Sequence, residues 1–141
     1  NLSPTFGDLD GDGNKDLIVG DADGKVHFFT NNGGNFQITN PNYQNIDVGQ
    51  FAQPQIIDVN RDGLNDLIIG EQDGTINYLP NSGTTTNAIF DTIITNWGGV
   101  DVDQSYISTG FSNPTLYDSS GVYQLFVGSF SGNIYQFTYI D

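Results

Sequence analysis

The chain has 141 residues, 17 of them acidic and 3 basic, with a formal net charge of −14. That balance leaves no basic face to neutralise phosphates, which excludes nucleic-acid binding, and it disfavours contact with an anionic membrane surface. Cys is absent, so disulfides and thiolate metal sites are excluded, and no apolar run is long enough to cross a bilayer, so direct membrane insertion is not expected.

Every acidic residue except Glu71 is Asp, and 18 residues are Gly. This is the composition of turns and metal loops rather than of helix surfaces, and the expected fold class is all-β. From the N-terminus, strands are expected near Pro4–Gly7 and Asp16–Gly20. The loop between them reads Asp8-Leu9-Asp10-Gly11-Asp12-Gly13-Asn14-Lys15-Asp16. Asp8, Asp10, Asp12 and Asp16 stand at its first, third, fifth and ninth positions, so alternate side chains can converge as the backbone curls. Gly13 permits the turn, and the Asn14 carbonyl can supply a further oxygen. Hard oxygen donors in a flexible loop select Ca²⁺ over smaller or softer metals. Next come a hairpin turn at Asp23-Gly24 and strands near Lys25–Thr30 and Phe36–Thr39. Asp-Gly between two apolar runs predicts a hairpin, since both turn residues can take positive φ.

The same pattern returns from Pro54 at an offset of 50 residues without a gap. Strands are expected near Pro54–Ile57, Asp66–Gly70, Thr75–Leu79 and Ala88–Ile94. The second loop carries Asp58, Asn60, Asp62 and Asp66, with Leu64 offering a carbonyl. Two calcium sites are therefore expected. The second should be the weaker, because Asn60 replaces a carboxylate and Arg61 sits beside it. An EF-hand reading fails, since position twelve is Val19 or Ile69 rather than Glu and an apolar strand follows each loop instead of a helix. Read simply as turns, the same Asp and Gly residues would bind nothing.

A third copy begins at Pro114, with strands expected near Pro114–Tyr117, Tyr123–Gly128 and Asn133–Tyr139. Its first loop is two residues shorter, and Gln124 replaces the ninth-position Asp, so no calcium is expected there. Leu17-Ile18-Val19, Leu67-Ile68-Ile69 and Leu125-Phe126-Val127 lack alternation, which suits strands buried on both faces. Four-stranded antiparallel sheets repeated at this spacing are the signature of β-propeller blades. Residues 1–141 are read as one propeller segment. It divides into a repeat over 1–50, a second over 51–110, and a partial third over 111–141 without a metal loop. About three blades do not close a ring, since propellers use about 4 to 8; the remaining blades are expected elsewhere in a larger protein, or copies must associate.

Phe6-Gly7-Asp8, the two Asp-rich loops, Leu17-Ile18-Val19-Gly20 and Leu67-Ile68-Ile69-Gly70 resemble the FG-GAP/VCBS repeat of integrin α-subunit heads and bacterial surface proteins. The resemblance implies a propeller whose metal loops join the first two strands of a blade and are stiffened by calcium. It leaves the ligand open. The stretch from Trp97 to Asp103 and the opening at Gly110–Pro114 are similar to bacterial surface proteins exported by type IX secretion.

His27, the sole histidine, aligns with Asn77 and Tyr135 and reads as a surface strand residue. Triad and zinc-hydrolase chemistry therefore lack parts, and no catalytic residue is expected. Tyr43, Phe51, Trp97, Tyr106 and Phe111 fall in loops between strands; Trp97 is the candidate recognition aromatic, with core packing its competing role. The expected function is a calcium-stabilised binding or scaffold module of a secreted or cell-surface protein, presenting loops to a protein or glycan. The alternative is a non-catalytic spacer in a larger secreted enzyme, such as a carbohydrate-active one.

Overall fold

The computed structural model describes residues 2–103 and 109–138, and among these there is no α-helix. Tyr106 and Tyr139, the latter the expected end of the last strand, lie outside the described residues. Ten strands form three antiparallel sheets: β1 (Ser3–Gly7), β2 (Asp16–Gly20), β3 (Val26–Asn32) and β4 (Asn35–Asn40); β5 (Gln53–Ile57), β6 (Asp66–Gly70) and β7 (Ile76–Leu79); β8 (Asn113–Ser119), β9 (Val122–Gly128) and β10 (Ile134–Phe137). Within each sheet the strands pair in chain order, as in a propeller blade.

The sheets stack face to face, and the cores lie between them. Alternation divides the continuous apolar run of β6 between two cores. In β6, Leu67 and Ile69 join Ile18, Val26 and Phe28 of the first sheet. Ile68, between them, turns the other way and joins Ile76, Leu125 and Val127 in the second core. All five residues of β6 are buried, because the middle sheet is covered on both faces.

The expected fourth strand of the second repeat, Ala88–Ile94, does not form; only an isolated bridge joins Tyr78 to Ile94. Where β3 runs on through Thr30, β7 stops at Leu79, before Pro80, which has no N–H for a ladder. Side-chain amides satisfy the backbone instead. The Phe90 N–H donates to Gln44 Oε1 and the Gln44 amide donates to the Ala88 carbonyl, both at 2.7 Å. Ala88 and Phe90 are buried in the first core all the same.

The hairpins expected at Asp23-Gly24 and Asp73-Gly74 form, joining β2 to β3 and β6 to β7. Gly24, Gly74 and Gly132 take positive φ, but Asp23, Asp73 and Ser131 do not. The acid that opens each turn is the cause. Asp21 Oδ1 accepts the Asp23 and Lys25 N–H groups at 2.9 and 3.0 Å, and Glu71 does the same for Asp73 and Thr75. These bonds hold the middle residues in a right-handed turn. Positive φ at both centres occurs instead in the β3–β4 turn, Gly33-Gly34, and in the β8–β9 turn, Ser120-Gly121, which stands where the other repeats have their long loops.

Candidate metal centre

The β1–β2 and β5–β6 loops lie side by side at one end of the sheets. In the first, Asp8 and Asp10 curl back over Asp16, and the three carboxylates bring oxygens within 4.8 Å of one another. Backbone amides shape the curl. Asp8 Oδ1 and Oδ2 accept the Gly11 and Gly13 N–H groups at 2.6 and 3.0 Å, and both glycines have positive φ. Asp12 stands apart from the trio. Asn14 donates to both of its oxygens, through its main-chain N–H at 2.7 Å and its side-chain amide at 2.9 Å. These bonds hold the Asp12 carboxyl below its ordinary pKa.

Asp16 is fully buried and ties the loop to the sheet. Its two oxygens accept the Leu9 N–H at 3.1 Å and the Asn31 N–H at 3.0 Å. Burial pushes its carboxyl above the usual range against those bonds, and Asp10 and Asp12 add like-charge repulsion. Asp66 repeats the arrangement. It accepts from Val59 N–H at 2.9 Å, Asn81 N–H at 2.7 Å and the Tyr78 hydroxyl at 3.1 Å, and burial raises its pKa too.

In the second loop Asp58 Oδ2 accepts the Gly63 N–H at 2.9 Å. Asp58 Oδ1 is shut off from solvent and has no hydrogen-bond donor among the described residues. Asn60 accepts from Asp62 N–H and donates to Asp62 Oδ2, each at 2.9 Å, while Leu64 N–H donates to Asp62 Oδ1 at 2.8 Å. An ionised oxygen buried without a donor is costly. Three carboxylates crowded together are costly for the same electrostatic reason. A hard cation relieves both, and an all-oxygen donor set fits one.

Arg61 turns from its own loop toward the third sheet. It leans over the Tyr123 ring, 4.5 Å from the centroid, and reaches Asp118 at 3.5 Å, both on the third sheet.

The sequence reading missed the residues that couple each loop to its neighbours. The Asn65 amide donates to the Asp8 carbonyl at 2.8 Å, and the Tyr123 hydroxyl donates to the Asp58 carbonyl. Lys15, Asn65 and Tyr123 align across the repeats, so one register position of the following sheet grips the first residue of the preceding loop. Asn31 and Asn81, also 50 residues apart, close the far side by donating to the Lys15 and Asn65 carbonyls. Their shared offset was the available signal.

Trp97 is buried against Tyr78, 5.2 Å between ring centroids, and is a core residue. His27 is half-buried, with Nε2 2.7 Å from Asp21 Oδ2, and so braces a hairpin instead of standing free on a surface.

Residues 8–69 match the FG-GAP-like repeat family. Neither a curated protein nor a solved structure matches the chain.

Proposed function

From the FG-GAP-like repeat carried by residues 8–69, we propose that this chain is a calcium-stiffened propeller segment, a binding or scaffold module of a secreted or cell-surface protein. Asp8, Asp10 and Asp16 would hold one ion, with Asp12 and Asn14 supporting the loop. Asp58, Asn60, Asp62, Asp66 and the Leu64 carbonyl would serve a second. The carrying observation is the pairing of the Asp8–Asp10–Asp16 group with the orphaned Asp58 oxygen in adjacent loops. The ion would supply charge neutralisation and rigidity. The loops would then present a fixed rim to a protein or glycan.

At an affinity of about 0.1 mM and about 1 mM external calcium, each filled site adds about 1.4 kcal/mol of stability. That gain exists only where calcium is millimolar, which argues for an extracellular location. The role proposed is non-catalytic: His27 is committed to Asp21, and the Asp8–Asp10–Asp16 group is assigned to the metal. A thermal melt with about 1 mM Ca²⁺ and again with excess chelator tests the reading. The melting temperature should rise with calcium, and Asp10→Ala should remove the larger part of that rise. A folded chain whose melt ignores calcium would show that the loops are turns alone.

A further inference from the structure

The two Asp-rich loops face each other across one cleft of about 270 Å³, with Asp8, Gly11, Leu64 and Asn65 among its walls. Two routes of bonded groups cross it. The direct route is Asn65, whose side-chain amide donates to the Asp8 carbonyl at 2.8 Å. Asp8 opens the first loop. In its own loop Asn65 stands between Leu64 and Asp66, which are assigned above to the second ion. The donor that grips one site is therefore threaded between two oxygen donors of the other.

The second route runs through Asn81, two residues past β7. Its main-chain N–H donates to Asp66 Oδ1 at 2.7 Å, and its side-chain amide donates to the Asn65 carbonyl at 3.2 Å. Its side-chain oxygen accepts the Gly83 and Ile89 N–H groups at 2.9 and 3.0 Å. Those bonds form the base of a small hairpin, in which Thr84 and Asn87 each donate an N–H to the other's carbonyl. The hairpin tip seats on the first loop, where a Cβ at Gly11 would lie 2.7 Å from the Thr85 carbonyl oxygen. Gly11 in turn donates its N–H to Asp8 Oδ1 at 2.6 Å. One asparagine thus ties the ninth-position Asp of the second loop to the cover of the first.

A loop that binds an ion must hold its oxygens in one arrangement, and the entropy lost in ordering them opposes binding. Here the two loops share the groups to be ordered. Filling the first loop fixes Asp8, and through Asn65 it fixes the backbone that presents Leu64 and Asp66. The second ion then meets a loop already set. Two ions repel each other, but the seven carboxylates of the loops surround them and offset much of that repulsion. We propose that calcium binding at the two loops is positively coupled, with Asn65 the positioning residue that carries the coupling. This rests on the calcium reading above. The two loops then fill and empty together, over a narrower range of calcium than independent sites would.

Calorimetric titration with calcium alone, on the 141-residue chain and two variants, tests it. Asp10→Ala leaves the second site, and Asp58→Asn, which keeps an oxygen for the Gly63 N–H, leaves the first. The product of the two single-site association constants is the value for independent sites. The two-ion constant of the unmodified chain should exceed that product at least about fivefold. Asn65→Ala keeps every proposed oxygen donor. Placed in all three chains, it should bring the ratio below about 2. In the Asp58→Asn chain, calcium at the first loop should also slow amide exchange at Leu64 and Asn81, across the cleft. A ratio of one or less, with both single sites still binding, would overturn the coupling and leave the calcium reading standing. A ratio unchanged by Asn65→Ala would overturn the role of Asn65. Chains that bind no calcium in any form would overturn both readings together.

Discussion

At the scale of single residues, the loop carboxylates divide by task. Asp16 and Asp66 are buried, and each accepts one backbone N–H from its own loop and another from Asn31 in β3 or from Asn81, two residues past β7. Removing Asp66 strands the Val59 and Asn81 amides and the Tyr78 hydroxyl. Asp66→Ala should therefore cost about 3 kcal/mol in a urea titration run in chelator, with no metal involved. A loss below about 1 kcal/mol would mean that these bonds do not hold the loop. Asp12 is the contrast: it is exposed and bonded only within its loop, to Asn14. Asp12→Ala should leave the urea midpoint in chelator unchanged within the error of the titration. The spacing of Asp8, Asp10, Asp12 and Asp16 was visible in sequence. The separation of Asp12 from the other three was not, because it depends on where Asn14 turns its amide. In the second loop, which holds the orphaned Asp58 oxygen, Asn60→Asp restores a third-position carboxylate. Calorimetry should then show tighter calcium binding at that site, and an unchanged titration would remove Asn60 from the ligand set.

At the scale of elements, the glycines that end β2 and β6 are seats for the next sheet, and flexibility is not their purpose. Gly70→Ala would press a methyl group into the Ser112 carbonyl. It should destabilise the chain by about 3 kcal/mol, read from the shift of the urea midpoint at unchanged slope. Near-neutral behaviour would show that the sheets can slide apart. Strand positions were legible because apolar runs and Gly-containing turns punctuate each repeat; β2 and β6 fall on the expected residues. The segment Ala88–Ile94 was misread for a physical reason. Its apolar residues are buried as a strand's would be, but Pro80 ends the partner strand, and Gln44 supplies the hydrogen bonds from elsewhere. Composition shows burial; it does not show who pairs with whom.

At the scale of the whole molecule, stability is a sum over junctions, each shared by two sheets. The middle sheet takes part in both cores and should open last. Amide exchange followed by mass spectrometry should be slowest across β6, where all five residues are buried, and fastest in β4, where five of six are exposed. Equal protection of β4 and β6 would contradict a core that lies between the sheets. The same logic makes Ile68→Ala costly, by about 3 kcal/mol, because Ile68 is fully buried where the second and third sheets meet.

The amino-acid sequence by itself determined the all-β class, the repeat and its register, the two Asp-rich loops and the loss of the third. Each is carried by local spacing, and residues a few positions apart can express it without reference to the rest of the chain. Tertiary structure alone decided which carboxylates come together and that Trp97 and Tyr43 are packing residues. It also decided that Arg61, Asn65 and Tyr123 couple each loop to a neighbouring sheet. Those outcomes depend on which surfaces meet when one sheet stacks on the next. Partners such as Tyr123 and Asp58 stand 65 residues apart in the chain and about one side chain apart in space.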